Sequence, residues 1–241
     1  MDRYLANPFT LFALLLFAGL ALIVLPLVFL GVIGGAFTNL GFSWGTALLI
    51  LAATLAGSFV NIPVASFENP VPEYEEEFLP FVQILYRIPL PAERTILAVN
   101  VGGALIPVLI SLYLLAQSVA RTGSPVIALL ACIGIGFVAA VAYRTSRVVP
   151  GLGVTTPFFV PPLAALLCGL ALPPLAGAGT MAAPVVAYTG GTLGVLIGAD
   201  LLNLGRIRDM AAPMVSIGGA GTFDGIFLNG IMAVLLSVFL T

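Results

Sequence analysis

Positions 9–31 read FTLFALLLFAGLALIVLPLVFLG. No charge interrupts the run, and it exceeds the about 20 apolar residues that a helix needs to cross the hydrocarbon core of a bilayer. Several similar runs follow it, and together they decide the fold class. Of 241 residues, 61% are hydrophobic and only 7% charged, and the mean hydropathy is +1.19. Soluble domains carry about 25% charged residues, so this chain is read as an integral membrane protein. Eight basic residues against ten acidic ones give a net charge of −2. No basic patch exists to bind nucleic acid.

Apolar stretches at roughly 9–31, 42–60, 96–118, 125–143, 154–172, 181–203 and 215–240 predict seven transmembrane helices in a single polytopic domain over 1–241. The expected class is therefore all-α. Pro161 and Pro162 lie inside the fifth stretch, and Pro173 and Pro174 close it, so that stretch is either a crossing or a re-entrant segment. The arginines arbitrate. With seven crossings, one side receives Arg3, Arg87, Arg94, Arg144, Arg147, Arg206 and Arg208, and the other only Arg121. Without the fifth crossing the split weakens to five against three. The positive-inside rule then places the N-terminus in the cytoplasm, the C-terminus outside, and the chain in the plasma membrane as a multi-pass protein. The first stretch is too long for the apolar core of a signal peptide and is read as a membrane helix. Pro26 is expected to kink it.

The one sizeable polar segment, 61–95, connects the second and third helices. It holds Glu68, Glu73, Glu75, Glu76, Glu77 and Glu93. It reads as a solvated cytoplasmic loop, or as an acidic cradle for a basic partner. Phe81 to Arg87, bounded by Pro80 and Pro89, suggests a short strand or hairpin at the membrane face.

Residue counts remove whole reaction classes. There is no histidine and no lysine, so all eight basic residues are arginine. Histidine-based nucleophile activation, histidine metal sites, lysine Schiff bases and Walker-type phosphate lysines are excluded. Cys132 and Cys168 sit in apolar runs without CxxC spacing and read as small lipid-depth or packing residues. No cofactor is expected. Chemistry falls to carboxylates, hydroxyls, amides, arginine and backbone.

Eight of the ten acids fall in the N-terminal tail or the cytoplasmic connections, which leaves Asp200 and Asp224. An ionisable residue at membrane depth costs at least about 2.5 kcal/mol on insertion scales, so it usually faces a protein interior and has a function. Asp224 lies 17 residues before Thr241, about 26 Å of helix, and Asp200 six residues before Arg206, at most about 9 Å. Both therefore belong to one shallow layer on the cytoplasmic side, on neighbouring helices. Asp200 follows Gly190, Gly194 and Gly198, a small-residue stripe that lets another helix approach closely. The carboxylate points about 120° away from that stripe, with Asn203 on its own face. Asp224 follows Gly218, Gly219, Gly221 and Thr222, a run that predicts a broken or extended segment with a helix restarting near Asp224. Alternatively, Asp224 or Thr222 caps that helix, and Asp200 pairs with Arg206 or Arg208. Asn100 opens the third helix from the same side, and its amide is placed to support the two aspartates or simply to pack.

Two carboxylates at equal depth that share a proton can perform aspartyl hydrolysis, one as base toward water and the other as acid. Intramembrane aspartyl proteases of the presenilin and prepilin-peptidase kind resemble this arrangement in outline. The resemblance is loose, because Gly219-Ala-Gly221 stands two residues too far from Asp224 and no Tyr-Asp precedes the first site. On this reading the substrate is a peptide or membrane protein. The competing reading is a transporter or channel coupled to H⁺ or Na⁺, in which the same aspartates, loosened backbone and Asn100, Asn203 and Asn229 bind the ion. A third reading is a structural membrane protein whose aspartates are satisfied locally.

Four blocks carry a family resemblance: Asn61-Ile-Pro-Val, Thr95 through Pro107, Gly198-Ala-Asp-Leu-Leu-Asn-Leu, and Ser216 through Leu228. They resemble the polytopic membrane family called domain of unknown function 1614. The resemblance implies an archaeal or bacterial membrane protein of unassigned activity and supplies no substrate or catalytic residues.

Overall fold

The computed structural model describes residues 8–68, 94–149, 153–179, 182–208, 212–219 and 225–240. Seven helices of more than three turns account for most of them: α1 (Pro8–Asn39), α2 (Trp44–Gly57), α3 (Ile106–Thr122), α4 (Val126–Thr145), α5 (Val160–Leu175), α6 (Ala182–Val195) and α8 (Gly225–Leu240), with a one-turn α7 (Leu204–Arg208) between the last two. Four helical stretches are long and apolar enough to cross a membrane: Leu11–Asn39, Val101–Thr122, Val126–Thr145 and Ala182–Arg206. The other three are apolar but shorter. In α5, Pro161 and Pro162 fall in the first turn, where proline is tolerated.

The described chain is mostly helical, as expected. Two small sheets accompany the helices: β1 (Asn61–Glu68), β2 (Arg94–Asn100) and β5 (Met214–Ile217) form one, and β3 (Arg147–Val149) and β4 (Gly153–Thr155) form a hairpin. β2 is central, antiparallel to β1 with Asn61 opposite Asn100, and parallel to β5 with Val99 opposite Ile217. The third and seventh apolar stretches thus begin as strands, at 96–100 and 215–217. The reason is physical. A strand covered on both faces carries a continuous apolar run, and Ile96-Leu-Ala-Val99 is such a run, with Leu97 and Ala98 both buried. By composition it merges into the helix that follows. The strand or hairpin expected at Phe81–Arg87 lies outside the described residues; the strands observed flank that segment.

The contacts sort the elements into two ends of the bundle. At one end the α1–α2 turn approaches the end of α3, with Gly41 beside Arg121. At the other end lie both sheets, the start of α3, the ends of α4 and α6, and the start of α8. There Ser146 bonds Thr156 at 3.0 Å, and the Arg206 guanidinium stacks over the Tyr143 ring at 5.6 Å. Among the described residues, Arg94, Arg144 and Arg147 also belong to this end, and Arg121 to the other.

The core is knitted by small residues. Gly190, Gly194 and Gly198 run along α4, where they meet Gly134, Val138 and Ala139. Gly169 of α5 packs on Ala183 and Ala187 of α6, and Gly191 on the Asn229 carbonyl of α8. Around these contacts, Ala131, Val138, Ala165, Val186, Ile226 and Ala233 form one enclosed cluster. Phe37, Leu114, Tyr188 and Phe227 centre a second. Cys168 is buried, as a packing residue would be, Cys132 is exposed on the outside of α4, and both thiols are free.

Candidate functional site

The stretch from α6 to β5 builds the site. At Leu196–Asp200 the helix widens into a π turn, then tightens into a 3₁₀ turn at Leu201–Asn203. Such changes of pitch leave carbonyls without their usual partners. Buried Asn203 supplies them, its amide donating to the carbonyls of Gly198 at 3.1 Å and Ala199 at 2.9 Å. Its Oδ1 accepts from Arg206 at 3.4 Å. Asn203 therefore holds the broken helix that carries Asp200.

Asp200 ends the π turn and is partly buried. Its carboxylate accepts the backbone N–H of Gly218 at 3.0 Å. Gly218 (φ 83°) and Gly219 (φ 77°) both occupy the left-handed region, which costs glycine little, and they turn the chain after β5 so that this N–H points at Asp200. Gly218 also sits directly on Gly103 and Ala104 at the start of α3, so close that a Cβ on it would stand 2.6 Å from the Ala104 nitrogen.

Asn100 fixes that start. Fully buried, it accepts the Gly103 N–H at 2.7 Å as an N-cap. It donates to the Ser58 carbonyl at 2.8 Å and to Asn61 Oδ1 at 3.1 Å, and Ser216 donates to the same Asn61 oxygen at 2.6 Å. Asn100 thus supports Asp200 through Gly103 and Gly218, not by its own amide. Of the expected site residues, the structure brings Gly218 onto Asp200 and places Asn100, Asn203 and Gly219 as braces. Asp224, Gly221 and Thr222 lie outside the described residues. The glycine stripe holds α4 as expected, while Asp200 faces Gly218 in the turn after β5.

Asp200 opens onto a cavity of about 240 Å³ whose wall includes Thr156, Phe158, Ala199, Gly225, Asn229 and Met232. Asn229 is 8% exposed. Its amide nitrogen is tied back to the Gly225 carbonyl, which leaves its Oδ1 without a partner. The polar residues of the cavity wall are thus Asp200, Asn229 and Thr156, whose hydroxyl is bonded to that of Ser146, in an otherwise apolar lining. Among the described residues, no group of three or more Cys, Asp or Glu side chains is placed to hold a metal ion. Sequence reasoning missed Thr156 and Phe158, because they reach the site from the β3–β4 region through folding alone. Asn229 had a visible signal as an amide inside an apolar helix.

The pattern of the wall can be set beside known proteins. A family model matches residues 55–236. The chain belongs to the family described as protein of unknown function (DUF1614). No curated protein and no solved structure matches it significantly. The DUF1614 match takes in every residue of the cavity wall. It begins inside α2, so α1 falls outside the matched region.

Proposed function

We propose that the chain is a multi-pass protein of the plasma membrane, crossing seven times, with its N-terminus and sheet end in the cytoplasm and its C-terminus outside, and that Asp200 binds a coupled cation, H⁺ or Na⁺. The orientation is supported by the described arginines, four at the sheet end and Arg121 opposite. The function rests on one observation: a partly buried carboxylate lines a cavity beside Asn229 and Thr156. A carboxylate with a hydroxyl and a carboxamide residue on the same wall suits a bare or partly hydrated cation. Broken helices at membrane depth, the π turn before Asp200 and the glycine corner at Gly218, form ion sites in this way.

The volume favours an ion over a peptide. Ligand pockets for drug-sized molecules run to about 300–1,000 Å³, and this one is smaller. Aspartyl hydrolysis remains as a second reading on one observation: Gly225, next in the chain to Asp224, lines the same cavity as Asp200.

The test is transport by purified protein in liposomes, followed with a pH-sensitive dye and with radioactive sodium. Asp200→Asn is expected to reduce ion entry at least tenfold while the protein stays monodisperse. Unchanged entry in that variant removes the ion reading. Cleavage of a transmembrane peptide that both Asp200→Asn and Asp224→Asn abolish, with no ion entry in the wild type, would transfer the site to hydrolysis.

A further inference from the structure

The cavity at Asp200 is larger and more apolar than an inorganic ion needs. A water's share of liquid volume is about 30 Å³, so a cavity of about 240 Å³ accommodates several water-sized groups. A metal cation also asks for a shell of several oxygens. Among the described residues of the wall, Asp200 is the one charged side chain, and Thr156 and Asn229 are the other polar ones. The Asn229 Oδ1 is itself enclosed, and the Thr156 hydroxyl is engaged by Ser146. Most of the remaining wall is hydrocarbon and ring, from Val154 on β4, Phe158 beyond it, and Leu228 and Met232 on α8.

Phe158 supplies something that hydrocarbon does not. It packs edge-to-face with Phe159, ring centroids 5.0 Å apart and planes at 86°. In a pair of that shape each ring keeps at least one face uncovered, and Phe158 is 59% exposed. The face of an aromatic ring carries negative charge density and attracts cations, and such faces are the usual seat of alkylated ammonium groups. The ring stands on the short connection between β4 and α5, while Asp200 arrives from the end of α6. Folding thus puts a carboxylate and an aromatic ring on one wall. Arg206, six residues beyond Asp200, is turned to Asn203 and to the Tyr143 ring, and it is not among the wall residues.

We propose that this cavity binds a small organic ammonium ion, with its charged nitrogen held by the Asp200 carboxylate and the Phe158 ring and its alkyl part against Val154, Leu228 and Met232. This rests on the reading of Asp200 as the carrier of a coupled cation and names the class of substrate to which that cation is coupled. One carboxylate offsets one positive charge, so the ammonium ion and the coupled cation compete for Asp200, and each leaves as the other arrives. The exchange is one for one and breaks no bond in the ammonium ion. Where the coupled cation is a proton, the carboxylate takes it from hydronium as the ammonium ion leaves, and returns it to water before the next one is held. A neutral molecule of the same shape gains only the apolar contact.

Choline and the neutral alcohol in which carbon replaces its nitrogen are the probes, titrated by calorimetry into the purified full chain in detergent. Choline is expected to bind one per chain and at least about tenfold more tightly than the alcohol, the order of one close charge pair. Whichever of proton and sodium enters liposomes is expected to weaken choline by competition. Asp200→Asn keeps an oxygen for the Gly218 N–H and is expected to abolish the preference for choline. Phe158→Leu, a change at an exposed ring, is expected to weaken choline about fivefold and the alcohol much less. Equal binding of the two probes overturns the proposal, as does choline binding that Asp200→Asn leaves undiminished. Equal losses of both probes in Phe158→Leu also overturn it, because the ring then offers only apolar contact. The liposome assay separates this proposal from the reading beneath it. Asp200-dependent ion entry without choline binding removes the ammonium site alone. Asp200-dependent choline binding in a protein that admits neither ion removes the coupling and keeps the site.

Discussion

Two sets of glycines flank Asp200, and they do opposite things. Gly190 and Gly194 in α6 and Gly198 in the π turn that follows it are right-handed helical residues whose missing side chains let this stretch lie against α4. Gly218 and Gly219 are in the left-handed region, and their backbone is what the site uses: one N–H reaches the Asp200 carboxylate and one Cα rests on the start of α3. In the first set glycine supplies closeness. In the second it supplies a conformation that no other residue adopts cheaply. The carboxylate stands between them, anchored on one side by packing and aimed on the other by a turn.

The largest effect is expected where both demands meet. Gly218→Ala forces a Cβ into the left-handed region, at about 1–2 kcal/mol, and drives that Cβ toward the Ala104 backbone. Overpacking adds about 1–3 kcal/mol. The sum, about 2–5 kcal/mol, should show as a clear drop of the thermal midpoint in detergent, together with loss of ion entry, because the N–H that holds Asp200 moves. A variant that keeps its midpoint and its transport would mean that the corner bends freely, and the contrast between the two glycine sets would collapse.

Next in size is the tight end of the stripe. A Cβ on Gly198 would fall on the Ala139 carbonyl, which is backbone and cannot rotate away. Gly198→Ala is expected to cost about 2–3 kcal/mol. At Gly194 the nearest obstacle is the Val138 side chain at 2.7 Å, which yields more readily, so Gly194→Ala should cost less, about 1 kcal/mol. Equal midpoints for the two variants would show that α4 and α6 do not meet as closely as the packing requires.

Much of this region was legible in the sequence. The spacing of Gly190, Gly194 and Gly198 named a close helix partner, and the helical wheel turned Asp200 away from it, both of which the contacts bear out. The run of glycines from 218 pointed to a break before the last helix, and β5 with Gly218 and Gly219 is that break. What remained hidden is tertiary. β2 pairs with β5 across more than a hundred residues, and nothing local in Thr95–Val99 distinguishes a strand buried on both faces from the first turn of a membrane helix. Asn100 reads as a site residue because it is an amide in an apolar run, yet its bonds to Ser58, Asn61 and Gly103 make it a cap.

The smallest expected effect has the opposite sign and is for that reason the sharpest test of what the stripe does. Gly190 belongs to the same i, i+4 series as Gly194 and Gly198, but a Cβ there would meet Gly134 at 3.7 Å and Val138 at 3.8 Å, which is ordinary van der Waals contact. With no clash to relieve, the change brings alanine's advantage over glycine inside a helix, up to about 1 kcal/mol, and fills space beside α4. Gly190→Ala should therefore raise the thermal midpoint slightly and leave ion entry untouched, while Gly198→Ala, eight residues on, lowers it. The three glycines are thus graded, because α6 converges on α4 toward Asp200, and the closest approach lies at the turn where the helix widens. If Gly190→Ala destabilises as much as Gly198→Ala, the helices run together along their whole length, and the approach at Gly198 is no part of how Asp200 is held.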